Sequence, residues 1–169
     1  MTSTIQEPLT IKLEYKDIDE NYIFFGDKMK NTIMDNSLFY NIIYSNEIMT
    51  LNNILLRIPL QRVTFDKTHQ HTKFQCTFSK TSPLNQHTIK CIENIEYRIL
   101  SLFKHHYYNE KTELQCTYSN ISFFKVNVYN SPLKVPFSMD EPVELLMKIS
   151  GIWERQNQIG LIASFSIYF

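Results

Sequence analysis

The sequence predicts a mainly β domain in which short antiparallel strands wrap into a small barrel and one amphipathic helix covers them. Three observations carry that expectation. Apolar and polar residues alternate along most of the chain, β-branched and aromatic residues are abundant, and a single central segment switches to helical spacing. A length of 169 residues suits one domain, and a composition 43% hydrophobic and 20% charged is that of an ordinary globular protein.

The elements follow in chain order. Residues 1–36 carry four basic and seven acidic groups and form an acidic amino-terminal segment with short strands expected at 8–15 and 22–25. The core is expected over 37–169 and starts with a strand at 37–44. From 53 to 63, Ile54, Leu56, Ile58 and Leu60 alternate with Leu55, Arg57 and Gln61; from 73 to 79, Phe74, Cys76 and Phe78 alternate with Lys73, Gln75 and Thr77. The polar run 66–72 between them reads as a hairpin loop.

One amphipathic helix is expected at about 88–104, because Ile89, Ile92, Ile95, Ile99, Leu102 and Phe103 recur at helical spacing and Asn85 or Thr88 suits its start. Strands at 113–118 and 121–129 follow. Alternation through Val143, Leu145, Met147, Ile149, Gly151 and Trp153, a polar turn at 154–158, and alternation through Leu161, Ala163, Phe165 and Ile167 make a closing hairpin. Three strands, a helix and two strands is the order of the five-stranded oligonucleotide/oligosaccharide-binding (OB) barrel, with the surplus strands as additions. A β-sandwich with one covering helix is the alternative.

Several chemistries lack their residues. The three glycines, Gly26, Gly151 and Gly160, are far apart, so neither a phosphate-cradling loop nor a nucleophile elbow is present. The carboxylate groups Asp17/Asp19/Glu20 and Asp140/Glu141/Glu144 lie in polar stretches and read as solvated faces. His69, His71, His105, His106, Cys76, Cys91 and Cys116 lack the paired spacing of a zinc site. Three cysteines without a C-x-x-C pair read as reduced thiols of a cytoplasmic protein, and Ile159 to Phe169 is about half the length of a membrane span. No cofactor, metal or catalytic residue is expected, and the protein is read as a non-enzyme that does not enter membranes.

What remains is an aromatic and basic signal. Seventeen basic residues balance seventeen acidic ones, yet residues 37–130 carry ten basic against six acidic groups. In 121–129, Phe123, Lys125, Asn127 and Tyr129 share one face while Phe124, Val126 and Val128 take the other, which suits the core. In 37–44 either Phe39, or Tyr40 with Tyr44, points outward. Arg57, Arg62, Lys73 and Lys80 add charge from the following strands. Aromatic rings that stack unpaired bases, beside cations that neutralise phosphates, are what a single-strand binder requires. Residues with A/T-rich codons outnumber those with G/C-rich codons 75 to 14, which suggests an AT-rich virus, plasmid or parasite genome.

The runs Met34 to Asn46 and Met49 to Asn53, the helical segment Ile92 to Leu100, and Leu146-Met147-Lys148-Ile149-Ser150-Gly151-Ile152-Trp153-Glu154 with Ile159-Gly160-Leu161 resemble single-stranded DNA-binding proteins of large nucleocytoplasmic DNA viruses. That family is similar in turn to the single-strand binder of a short-tailed bacteriophage. The resemblance covers residues 34–169 and implies an OB fold that serves DNA replication and recombination in the host cytoplasm or a viral replication compartment. It departs from the pattern where the chain closes Ser166-Ile167-Tyr168-Phe169 in place of an acidic tail, and where Asn52-Asn53 stands for Asn-Gly. The expected partner is single-stranded DNA, with RNA, replication proteins and further copies of the chain left open. The alternatives are a structural or scaffolding β-protein of a virion and, more remotely, a metal-dependent enzyme.

Overall fold

A computed structural model describes residues 13–67, 73–108, 115–117, 121, 124–129 and 137–168. The expected strand at 8–15 lies largely outside them; Leu13 makes one isolated bridge to Leu56, and Tyr15–Asp17 and Glu20–Tyr22 are 3-10 turns. Twelve strands follow among the described residues: β1 (Ile23–Phe25), β2 (Met29–Lys30), β3 (Leu38–Ser45), β4 (Thr50–Leu51), β5 (Ile54–Leu60), β6 (Val63–Lys67), β7 (Lys73–Phe78), β8 (Gln115–Thr117), β9 (Lys125–Tyr129), β10 (Phe137–Met139), β11 (Val143–Arg155) and β12 (Gln158–Tyr168). One helix, α1 (Pro83–Tyr107), stands between β7 and β8. The fold is mainly β with one helix and extra strands.

The pairings trace a ring. β5 pairs with β11, β11 with β12, β12 in parallel with β9, β9 with β7, and β7 with β6. β5 and β6 are two halves of one bent ribbon, so the chain across Gln61 and Arg62 completes a circuit that the hydrogen-bonded ladder leaves open. This is the partly open five-stranded barrel of an OB-like fold. β3 lies outside the ring, carried on the far half of β11, with β1, β2 and β4 paired to it.

The helix follows the second ring strand, not the third. With the core expected over 37–169, the segments 37–44, 53–63 and 73–79 count as three strands before the helix, the first of them being β3. Pairing, which alternation does not encode, puts β3 outside the barrel.

Both bent strands keep one face inward by absorbing a residue at the bend. Ile54, Leu56, Ile58 and Leu60 are buried at even positions, then Val63 and Phe65 at odd ones, with Arg62 between them at φ 54°. In β11 the buried set Val143, Leu145, Met147 and Ile149 gives way to Ile152, and the register with β12 shifts between Ile149 and Gly151. Gly151 is required there. A Cβ would stand 2.3 Å from Cε2 of Phe39 and 2.4 Å from the carbonyl oxygen of Tyr40.

The helix starts a turn earlier than its apolar stripe suggests. Ser82 is the N-cap, its hydroxyl accepting the Asn85 N–H, and Pro83 opens the first turn, where a missing N–H costs nothing. Ile89, Ile92, Ile95, Ile99 and Phe103 are buried where the helix packs on β5 and β12. Asn85, fully buried, binds the bend: its Oδ1 accepts the Gln61 N–H at 2.8 Å, and its Nδ2 donates to the carbonyls of Gln61 at 2.8 Å and Ser79 at 2.9 Å. The far end of α1 clasps the added strands through edge-on rings, Phe103 lying 4.8 Å from Tyr40 and 5.2 Å from Phe25.

Candidate nucleic-acid interface

The faces of β9 are those that alternation assigns. Val126 and Val128 are buried, while Lys125 and Asn127 are exposed. Lys125 stands opposite Thr77 and Asn127 opposite Gln75; Thr64 and Asp66 of β6 continue those rows. The outward surface of β6, β7 and β9 is therefore polar, with Asp66 as its acidic member. Lys73 and Tyr129 are cross-strand partners, so the register joins two of the candidate residues; their side chains lie outside the described set. Phe123 lies outside the described residues altogether.

Three other candidates gather at one end of this surface. The Ser79 N–H donates to the Arg62 carbonyl and the Phe78 N–H to the Phe124 carbonyl, each at 3.1 Å. These bonds draw Arg62, Lys80 and Lys125 around residue 124. The Lys80 ammonium lies 5.9 Å from the Phe124 ring centroid, within cation–π range, and that ring rests 5.7 Å from Phe78. Arg62, Lys80 and Lys125 are exposed, and among the described residues none forms an ion pair.

Alternation counted through 121–129 sends Phe124 inward with Val126 and Val128, and its half-buried ring does pack against the core beside Phe78; what sequence reasoning missed is that Lys80 comes to lie beside that ring. The strand begins only at Lys125, and Phe124 sits in the preceding turn at φ 59°, half-buried. No periodic signal marks such a position, because the left-handed backbone breaks the count.

Other candidates have different roles. Tyr40 and Tyr44, each 3% exposed, are core residues and not base platforms, because β3 turns its even positions inward, Tyr40 against Phe103 of α1 and Tyr44 against Tyr22 of the second 3-10 turn. The Tyr40 hydroxyl donates to Glu154 at 2.8 Å, and that of Tyr44 to the Asp17 carbonyl at 3.3 Å. Burial, reinforced by the bond to Glu154, raises the Tyr40 pKa to about 12, and the same causes push Tyr108 upward. Arg57 is exposed but held by Glu144 through contacts of 2.5 to 3.0 Å, so its charge is already matched. Phe39, half-buried, faces away from the core on β3.

The thiols are not a cluster. Burial pushes Cys76 up to about 12, which leaves it protonated and inert, and Cys91 lies beside His87 on the helix surface. Among the described residues no three His, Cys, Asp or Glu side chains converge as metal ligands, and no helix is long and apolar enough to cross a membrane. No family model matches this chain, and no curated protein or solved structure matches it.

Proposed function

We propose that the protein binds single-stranded DNA without sequence preference, as a non-enzymatic component of DNA replication and recombination in an AT-rich virus or plasmid. The observation that carries this reading is a set of three exposed cations, Arg62, Lys80 and Lys125, that form no ion pair among the described residues and that the backbone gathers near Phe124, with Lys80 over its half-buried ring, on an OB-like barrel. A ring with a cation beside it, and two more cations nearby, offers one unpaired base a stacking surface and its neighbouring phosphates a counter-charge. Paired bases, stacked on each other, cannot use the ring.

The test is fluorescence anisotropy with a labelled single-stranded 30-mer and its duplex. Single strands are expected to bind at least tenfold more tightly. If three phosphates are neutralised, log K falls with log salt at a slope of about −2. Equal affinity for duplex, or a flat salt response, refutes the reading.

One observation favours the scaffolding alternative. Ile33 and Ile48 are 93% and 92% exposed, each held in an Asn-x-Ile-Met turn whose asparagine Oδ1 accepts two backbone N–H groups. The two turns flank β3. If these apolar tips dock on protein, the chain passes through single-stranded DNA cellulose and sediments as a multimer, a result that Ile33→Ser with Ile48→Ser abolishes.

A further inference from the structure

A second aromatic group stands on the outer surface, where β3 is carried by β11. Phe39 and Trp153 are cross-strand partners; Met29 of β2 lies opposite Phe39, and Gly160 of β12 lies opposite Trp153. Cross-strand partners share a face. Here it is the outward one, since the adjacent residues Tyr40 and Ile152 are buried at 3% and 0%. The room for Phe39 comes from Gly151, where a Cβ would meet Cε2 of that ring at 2.3 Å. Gly160 places no side chain beside Trp153. Two residues along the same face of β11 is Arg155, exposed and without an ion pair among the described residues.

This face is continuous with that of Lys125. Gly160 and Ser166 stand at alternate positions of β12; Gly160 pairs with Trp153, and Ser166 pairs with Tyr129, which shares the parity of Lys125 and Asn127 on β9. Beside Gly160 the neighbour of β12 is β8, through Thr117, and β9 takes that place further along β12; measured across the strands, β3 to β7 by way of β11, β12 and β9 is a span of four spacings, about 19 Å. An aromatic–basic pair marks each side of it: Phe39 and Trp153 with Arg155, then Phe124 with Lys80 and Lys125.

We infer that Phe39 and Trp153 form a stacking platform for unpaired nucleobases of the same single strand whose phosphates meet Arg62, Lys80 and Lys125, with Arg155 neutralising a phosphate beyond the platform. The inference rests on the single-strand-binding reading and extends the contact onto a strand outside the barrel ring. The strand crosses the β-strands instead of running along one of them.

The chain has one tryptophan, so its emission reports this patch alone. Full-length protein is titrated with a 16-residue oligothymidylate while tryptophan emission and the anisotropy of a labelled copy of the same oligonucleotide are followed in parallel. The expected result is quenching with the same midpoint as the anisotropy change. Phe39→Leu weakens binding about tenfold or more, and Arg155→Gln flattens the salt slope by about 0.7. Binding with unchanged tryptophan emission, or Phe39→Leu binding like wild type, overturns the platform and leaves the β6–β7–β9 contact standing. No anisotropy change overturns both readings. Should Phe39→Leu fail to fold, the wild-type emission decides.

Discussion

Asn85→Ala tests the link between the barrel bend and the basic cluster. The side chain is fully buried and satisfies three backbone groups, the N–H and carbonyl of Gln61 and the carbonyl of Ser79, at 2.8 to 2.9 Å. Gln61 and Ser79 immediately precede Arg62 and Lys80, so the asparagine sets where two of the three cations leave the sheet. Each lost bond removes about 1 kcal/mol net, and the groups left behind are partly desolvated, so the total loss is about 3–4 kcal/mol. For a chain of this size that lowers Tm by about 6–16 °C. Asn85→Asp retains the acceptor but turns a carboxylate toward two carbonyls, so it is no milder. Gln86→Ala is the control: it removes an exposed bond to the Lys80 carbonyl and is expected to change stability by less than about 0.5 kcal/mol. Urea melts give the stability, and anisotropy at a temperature where Asn85→Ala is folded gives the binding. A loss below about 1 kcal/mol would mean that the backbone bond from Ser79 to Arg62 fixes the bend unaided. Unchanged affinity in the folded variant would refute the proposed positioning.

Lys125→Ala is expected to weaken single-strand binding and flatten the salt slope by about 0.7 with little change in stability, whereas Val126→Ala, one position along and buried, costs about 2 kcal/mol of stability and leaves the slope alone. Reversed effects in the melts and titrations would mean that the faces of β9 are exchanged. Gly151→Ala is expected to destabilise by about 1–3 kcal/mol in urea melts, since one of the three clashing atoms is the Tyr40 backbone oxygen and cannot swing aside. Tyr40 has a folded pKa of about 12 against an ordinary value of 10.0, so its contribution is fully present below about pH 10 and is lost as pH rises toward 12, at up to about 1.4 kcal/mol per pH unit. Urea melts at pH 9, 10 and 11 should show that decline, reduced in Tyr40→Phe; an identical pH dependence in the variant would assign it to other groups.

Strand and helix identity was legible wherever periodicity was strong. Ile54 to Leu60, Phe74 to Phe78 and Val143 to Ile149 declare their buried faces by alternation, and Ile89 to Phe103 declares a helical stripe, because burial of one face is a local constraint on residue order. The outward position of Lys125 against Val126 and Val128 follows from the same rule. The rule stops where the backbone bends. Arg62 and Phe124 sit at positive φ, and the shift between Ile149 and Gly151 reverses parity within one strand, so the sequence alone could neither put Phe124 beside Lys80 nor bring Trp153 onto the face of Phe39. In β3 the ambiguity was symmetrical, with aromatic residues on both faces. Packing under α1 and the 3-10 turns resolved it by drawing Tyr40 and Tyr44 inward and leaving Phe39 outside. Composition and alternation determined a β-rich domain with one covering helix. Which strands meet, and therefore which cations and rings become neighbours, was decided by long-range pairing, since a strand's residue order specifies its faces but not the partner that lies beside it.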